Sequence, residues 1–166
     1  RYAFYNCSNL NEVVFNDGLQ KIGDNAFFYC SSVDSIKLPS TITEIGSDTF
    51  HGCSYLKEVR LNEGLQKIRT SSFHKCTSLQ HIKLPSTVTE IGVCAFARCS
   101  NLREVIFNDG LQKIEGSAFS NCESLESIRL PSTVTEIGKG AFANCTNLRE
   151  VELNGIPQYM DSYAFH

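Results

Sequence analysis

Cysteine and histidine are the residues of this sequence that could support a metal site, a disulfide or catalysis. The chain holds eight cysteines and four histidines among 166 residues. A zinc site would need clustered spacings such as Cys-x-x-Cys, and none occurs. His51 and His74 share one position of a 23-residue repeat, but two imidazoles without a third ligand make a poor metal site. The sequence therefore predicts no metal and no other cofactor, and indicates a tolerant surface position for both histidines.

The spacing of the cysteines favours a structural role for them. Neighbouring thiols in stacked turns would lie within disulfide range, but the number of regularly spaced cysteines is odd and the repeat does not distinguish pairs. A buried thiol behaves as a small hydrophobe, so we expect a core ladder of free thiols. Cys94 stands outside this ladder, and we expect its thiol to be exposed. The ladder recurs every 23 residues at Cys7, Cys30, Cys53, Cys76, Cys99, Cys122 and Cys145.

Enzymes, nucleic-acid-binding proteins and membrane-inserted proteins fit the sequence poorly. Serine, histidine and acidic residues recur as repeat positions instead of forming one catalytic constellation, and no glycine-rich phosphate loop is present. A formal net charge of -3 argues against nucleic acid as a partner, because nucleic-acid-binding proteins usually carry a basic stripe. The apolar stretches fall far short of the roughly 20 residues that cross a bilayer, which predicts no membrane insertion.

An unbroken 23-residue period organises the whole chain. Stacked repeats contact only their neighbours, so each apolar residue type must return at the same height in every turn to build one core. The period therefore predicts a repeat solenoid, with residues 1–166 forming a single domain of about seven repeats. It links Leu10, Val33, Leu56, Leu79, Leu102, Leu125 and Leu148, and also Phe4, Phe27, Phe50, Phe73, Phe96, Phe119, Phe142 and Phe165.

Each repeat contains two short extended pieces and a turn. In the repeat that begins at Leu102, the alternation over residues 105–107 predicts a short strand, with Glu104 and Ile106 exposed. Leu111 and Ile114 indicate a second extended piece. We expect the Ala-Phe pair that follows to lie in a short helical or 3₁₀ turn.

Odd and even repeats differ, so the full unit is 46 residues long. Odd repeats carry Asn-Asp-Gly or Asn-Glu-Gly after the first extended piece, whereas even repeats carry Pro-Ser-Thr. If neighbouring coils pair as parallel strands about 4.8 Å apart, each charge of one exposed ladder lies beside charges of opposite sign. Such a ladder sets the register, because a slip by one coil would bring like charges together. Its members are Lys21, Glu44, Lys67, Glu90, Lys113 and Glu136.

The repeated string Leu-x-x-Val/Ile-x-Leu/Phe, followed by Ile-Gly-x-x-Ala-Phe-x-x-Cys, resembles the BspA-like class of leucine-rich repeats over essentially the whole chain. Arg69, Glu115 and Asp161 depart from it at the glycine, and Pro157 and Met160 disturb the last copy. The resemblance implies a right-handed coil with a parallel β-sheet on one face and short helical or 3₁₀ turns and loops elsewhere. It also implies display at the cell surface or secretion, and a role in adhesion.

Neither end of the sequence carries the polar cap that solenoids usually need. We therefore expect the chain to be a fragment of a longer array. End-to-end self-association between molecules is the alternative.

The exposed strand positions form the face on which a partner could bind. One ladder there is mostly basic and the ladder two residues earlier is mostly acidic, so the face could also be merely solvated. The candidate binding residues are Lys37, Arg60, His81, Lys83, Ile106 and Arg129. We expect a non-catalytic module that binds a protein or other macromolecular ligand through this face; a structural spacer or scaffold array that self-stacks or presents another domain is the alternative.

Overall fold

Short strands pair in parallel with the equivalent strands of neighbouring coils, which makes the chain a parallel β-solenoid. The computed structural model describes all residues, 1–166. One row of strands, termed the first row, comprises β2 (Ser35–Lys37), β4 (Glu58–Arg60), β6 (His81–Lys83), β8 (Glu104–Ile106), β10 (Ser127–Leu130) and β12 (Glu150–Leu153). The second row comprises β1 (Lys21–Ile22), β3 (Glu44–Ile45), β5 (Lys67–Ile68), β7 (Glu90–Ile91), β9 (Lys113–Ile114), β11 (Glu136–Ile137) and β13 (Tyr159–Met160).

The phenylalanine ladder forms a continuous stack through the core, as the period predicts. Phe50, Phe73 and Phe96 are fully buried. The rings of Phe50 and Phe73 lie 5.4 Å apart between centroids and those of Phe73 and Phe96 lie 5.3 Å apart, both in near-parallel stacking. Offset stacking of this kind adds to the burial of apolar area. The stack belongs to one hydrophobic cluster that extends from the first coil to the last.

The cysteines form the predicted ladder of free thiols, with two differences in exposure. All eight thiols are free, and each ladder thiol from Cys30 onward donates its S–H to the carbonyl of a phenylalanine in the preceding coil, as Cys53 Sγ does to Phe27 at 3.3 Å. Cys7, in the first of the described coils, is exposed. Cys94, predicted to be exposed, is half-buried beside the ladder.

The segment around each Ala-Phe pair consists of hydrogen-bonded turns, and the predicted short helices or 3₁₀ helices are absent. Asn25 and Tyr29 flank one such pair with φ of 56° each, in the left-handed region. A left-handed residue at each end stops helical propagation. The backbone N–H groups of Asn25, Phe27 and Tyr29 instead donate to carbonyls of the next coil at 2.7–2.9 Å.

The second row carries the predicted ladder of alternating charges. Its register pairs Lys21 with Glu44 and Lys67 with Glu90. The side chains form ion pairs, Lys21 Nζ to Glu44 Oε2 at 2.9 Å and Lys67 to Glu90. These ion pairs are largely exposed, so they set the register more than they stabilise the fold.

The two-repeat unit is visible in the hydrogen bonding of the first row. Strands pair as β2–β4, β6–β8 and β10–β12, whereas no backbone hydrogen bond joins β4 to β6 or β8 to β10. We call these unbonded boundaries, from an odd coil to the next even one, the open seams. The strand expected at residues 12–14 is also absent, because β2 lies across an open seam from this segment and forms no backbone hydrogen bonds with it.

Close backbone approach follows the same two-coil period on the second row. A Cβ added to Gly92 would lie 2.9 Å from the backbone of Arg69 in the preceding coil, and one added to Gly46 or Gly138 would come closer still, at 2.4 Å and 2.6 Å from the preceding coil's backbone. These glycines belong to even coils. The equivalent positions of the later odd coils hold Arg69, Glu115 and Asp161. The repeat string therefore keeps its glycine in the even coils, where the backbones approach closely, and replaces it in these odd coils.

Candidate binding face

The first-row strands present the predicted binding residues on one exposed face. In β2, β4, β6 and β8 the central residue points into the core and its two neighbours point outward, as with Ile82 between His81 and Lys83. The parallel register brings the outward positions of neighbouring coils side by side. It pairs Lys37 with Arg60, His81 with Glu104, Lys83 with Ile106, and Arg129 with Glu152.

The predicted basic ladder divides into neutralised and free cations. Arg60 forms an ion pair with Glu58 of its own strand, and Arg129 Nε lies 2.6 Å from Glu152 Oε2 of the next coil. His81 Nδ1 lies 3.2 Å from Glu104 Oε2.

Lys37 and Lys83 form no ion pair. These two lysines are therefore the unneutralised positive charges of the ladder, and they occupy the same position of the two-repeat unit.

Each free lysine lies at the rim of a cleft at an open seam. The cleft beside Lys83 has a volume of about 280 Å³ and is lined by Val59, Arg60, Leu61, Glu63, Lys83, Leu84 and Pro85. The cleft beside Lys37 has a volume of about 340 Å³ and is lined by Val13, Val14, Phe15, Asp17, Lys37, Leu38 and Pro39. The two clefts are related by the 46-residue unit and share a lysine, an acidic residue and apolar lining residues, but Val14 of one cleft is replaced by Arg60 in the other.

Exposed apolar side chains lie next to both lysines. Val14 is 75% exposed and lines the cleft of Lys37, while Ile106 is 46% exposed and is the register partner of Lys83. Each cleft thus combines a lysine with apolar lining residues and one acidic residue, while Ile106 lies outside the cleft of Lys83, on the next coil. This arrangement suits a partner that presents a carboxylate beside an apolar group.

His51 and His74 lie inside an aromatic stack on the turn side, which corrects the prediction of a tolerant surface position. Their rings lie 4.5 Å apart between centroids, and His51 Nδ1 lies 2.9 Å from Asp48 Oδ1. Burial, and then the charges of His51, Lys75 and Arg98, lower the pKa of His74 to about 4. No group of three or more His, Cys, Asp or Glu side chains is placed to hold a metal ion.

The sequence reasoning missed a second concave surface on the turn side, to which Lys75 and Arg98 contribute. Both lie at the repeat position directly before the ladder cysteine, where the other coils hold other residue types. The signal that could have revealed them is their shared position in neighbouring repeats with the same charge.

The stacked coils, the parallel strand rows and the phenylalanine and cysteine ladders define a leucine-rich repeat protein. A family model described as the BspA type leucine rich repeat region, with six copies, matches residues 1–103 and 66–166. The chain belongs to the BspA-type leucine-rich repeat family. Repeats of this family generally mediate protein interactions and are generally non-catalytic. No curated protein matches the chain significantly.

Solved structures of bacterial leucine-rich repeat proteins share the fold. A T. pallidum leucine-rich repeat protein is 36% identical with a TM-score of 0.80, over 86% of this chain and 67% of that one. A leucine rich cell surface protein from Faecalibacterium prausnitzii is 30% identical with a TM-score of 0.77, over 82% of this chain. A leucine-rich repeat protein from Eubacterium ventriosum is 25% identical with a TM-score of 0.80, over 96% of this chain.

This chain spans 37% of the F. prausnitzii protein and 42% of the E. ventriosum protein. The activities of those whole proteins therefore do not transfer to it directly. Among its own elements, none is a helix with the length and hydrophobicity that crossing a membrane requires.

Proposed function

We propose that this chain is a non-catalytic module that binds an acidic protein segment through its first-row strand face. The observation that carries the proposal is the pair of equivalent clefts with free Lys37 and Lys83 at their rims. A charge that no carboxylate of the chain neutralises is available for one on a partner. The exposed Val14 and Ile106 beside these lysines add apolar contact area.

The spacing of the clefts indicates the form of the partner. They lie two coils apart, which is about 10 Å for strands spaced about 4.8 Å. A polyproline II segment rises about 3.1 Å per residue and returns to the same side every third residue, so acidic residues three apart would reach both lysines. The partner would be an extended segment with that acidic spacing and apolar residues beside it.

A cell-surface or secreted location accompanies this proposal. It is supported by the 30% identity to the F. prausnitzii protein described as a leucine rich cell surface protein. Adhesion to a protein of another cell or matrix would be the consequence of a binding face displayed there.

A phage-displayed library of 12-residue peptides provides the probe for the strand face. Peptides selected on the wild-type chain should carry paired acidic residues, and Lys37→Glu/Lys83→Glu should weaken their binding by about 10-fold or more, because an attractive charge becomes a repulsive one. The variant Lys75→Glu/Arg98→Glu reverses two charges on another surface and is the matched control. Equal affinity for the wild type and for Lys37→Glu/Lys83→Glu would refute the proposal.

A spacer or scaffold array is the second candidate, and the apolar surface of the outermost coils supports it. Phe4 and Leu19 of the first coil and Tyr159 and Met160 of the last are exposed. Another coil or a second copy stacked there would cover them. Light scattering after size exclusion, over a concentration series, tests self-stacking: a strict monomer at high concentration would remove it.

A further inference from the structure

A cleft larger than the two at the open seams lies on the turn side, away from the strand face. It has a volume of about 440 Å³ and follows the solenoid axis over five coils, which is roughly 20 Å at about 4.8 Å per coil. We call it the trough. The positions directly before and directly after five of the ladder cysteines line it. Its charged members are Lys75, Arg98 and, in the last of the five coils, Glu123, beside Tyr29 and a row of serine and threonine side chains.

Two unneutralised cations lie side by side in the trough. Lys75 and Arg98 occupy the same position in neighbouring coils, whose stacked Phe73 and Phe96 rings are 5.3 Å apart. Neither cation forms an ion pair, although the second-row lysines of the charge ladder do. Like charges in adjacent coils repel each other unless an anion lies between them, so stacking alone does not account for the pair.

The backbone at this position is also unsuited to long side chains. Lys75 and Arg98 have φ of 59° and 61°, in the left-handed region that favours asparagine and glycine. Most other coils follow that preference, with Asn6, Gly52, Asn121 and Asn144 at the equivalent positions, whereas Tyr29, with φ of 56°, is a further exception and also lines the trough. Lysine and arginine stand here against the local backbone preference, which is typical of residues kept for a functional reason.

An aromatic ring continues the cationic surface along the trough. Tyr29 is 39% exposed, and its ring lies against Gly52 of the next coil, where an added Cβ would come within 2.9 Å of the Tyr29 Cδ1 atom. The missing side chain of Gly52 leaves room for the ring. The Tyr29 hydroxyl reaches to 3.5 Å from Lys75 Nζ, two coils away. The ring face and the two cations therefore form one surface.

We propose that the trough binds an acidic oligosaccharide, with its carboxylate or sulfate group held between Lys75 and Arg98. A guanidinium and an ammonium give charge-assisted hydrogen bonds to such an anion. The serine and threonine side chains that line the trough offer donors and acceptors to sugar hydroxyls, and the Tyr29 ring offers an apolar platform to one sugar face. Only one of the ten lining residues is hydrophobic, which disfavours a peptide that would need to bury apolar side chains.

Three hexasaccharide probes separate the possible anions. A heparin-derived hexasaccharide carries sulfate and carboxylate, a galacturonate hexamer carries carboxylate alone, and cellohexaose is neutral. Titration calorimetry with the whole chain should show binding of at least one acidic probe and none of cellohexaose. Binding of the heparin-derived probe without binding of the galacturonate hexamer would identify sulfate as the recognised group. No binding of either acidic probe, or equal binding of the neutral one, would overturn the proposal.

The variant Lys75→Asn/Arg98→Asn separates binding from folding. Asparagine suits the left-handed backbone, so the thermal midpoint should stay the same or rise, while affinity for the acidic probe should fall at least about 10-fold. Lys37→Asn/Lys83→Asn removes the same charge from the strand face and should leave the affinity within about twofold. Equal losses in both variants would show a nonspecific charge effect and overturn the proposal. The strand-face proposal would be unaffected by that result, since its probe is a peptide.

Discussion

Removing one ring from the phenylalanine stack should destabilise the solenoid far more in its middle than in its first coil. Phe96 is fully buried and stacks on Phe73 at 5.3 Å and on Phe119 at 5.2 Å. Phe4 is 46% exposed and stacks on Phe27 alone, at 5.0 Å. The pair Phe96→Ala and Phe4→Ala therefore compares the same chemical deletion with two neighbouring rings and with one.

The expected magnitudes follow from burial and from the number of ring contacts. Truncating a buried phenylalanine to alanine usually lowers the free energy of unfolding by about 3–5 kcal/mol, and Phe96→Ala should lie near the upper limit because both stacked contacts are lost. Phe4→Ala should lower it by about 1–2 kcal/mol, because half the ring is already in water. Phe96→Leu retains most of the apolar volume and should lower it by about 1–3 kcal/mol, from two aromatic contacts of about 0.5–1.5 kcal/mol each.

Urea unfolding followed by far-UV circular dichroism measures these differences. Phe96→Ala should also broaden the transition, because coils on either side of the gap contact each other only through the altered coil. The end variant should keep the wild-type slope. If Phe4→Ala and Phe96→Ala lowered the free energy of unfolding equally, within about 1 kcal/mol, a continuous core stack would be the wrong description.

The remaining predictions concern pH and charge. Burial raises the pKa of the Cys99 thiol to about 12 from its usual 9.0. The stability that the protonated thiol contributes is therefore full below pH 9 and is lost as the pH rises toward 12, by up to about 1.4 kcal/mol per pH unit. Cys99→Ala should flatten the alkaline fall of the urea midpoint. The pKa of His74 is lowered to about 4, mainly by burial. The stability that this neutral imidazole contributes is therefore full above about pH 6.5 and is lost toward pH 4, by about 1 kcal/mol after allowance for solvent around its partly exposed ring; His74→Ala should remove this acid slope. A double-mutant cycle on Lys67 and Glu90 should give a coupling of about 0.2–1 kcal/mol that disappears in 1 M salt.

Periodicity was sufficient to predict the core, because stacking forces each apolar type to recur at one height. Phe50 and Cys76 are buried where the 23-residue ladders place them, and the charge ladder of Lys21 and Glu44 pairs as its alternation indicates. The two-repeat unit was visible in the sequence as well. Its structural effect, an open seam after every odd coil, was not, since backbone hydrogen bonding leaves no mark on residue type.

The turns and the site chemistry were harder to predict for related reasons. Left-handed residues that stop the predicted helices include Tyr29 and Arg98, which do not signal that conformation by type. The basic ladder looked uniform, but Arg60 and Arg129 are neutralised by carboxylates two residues away or one coil away. Such pairings depend on side-chain direction, so they appear only once the strands are placed.

A crystal structure of the chain with the strongest peptide from the phage selection would show which surface binds the peptide. We expect the peptide to lie on the first-row strand face, with an acidic side chain within hydrogen-bond distance of Lys37 Nζ or Lys83 Nζ and an apolar side chain against Val14 or Ile106. A peptide bound in the trough or on an outermost coil, with both lysines free, would contradict this expectation.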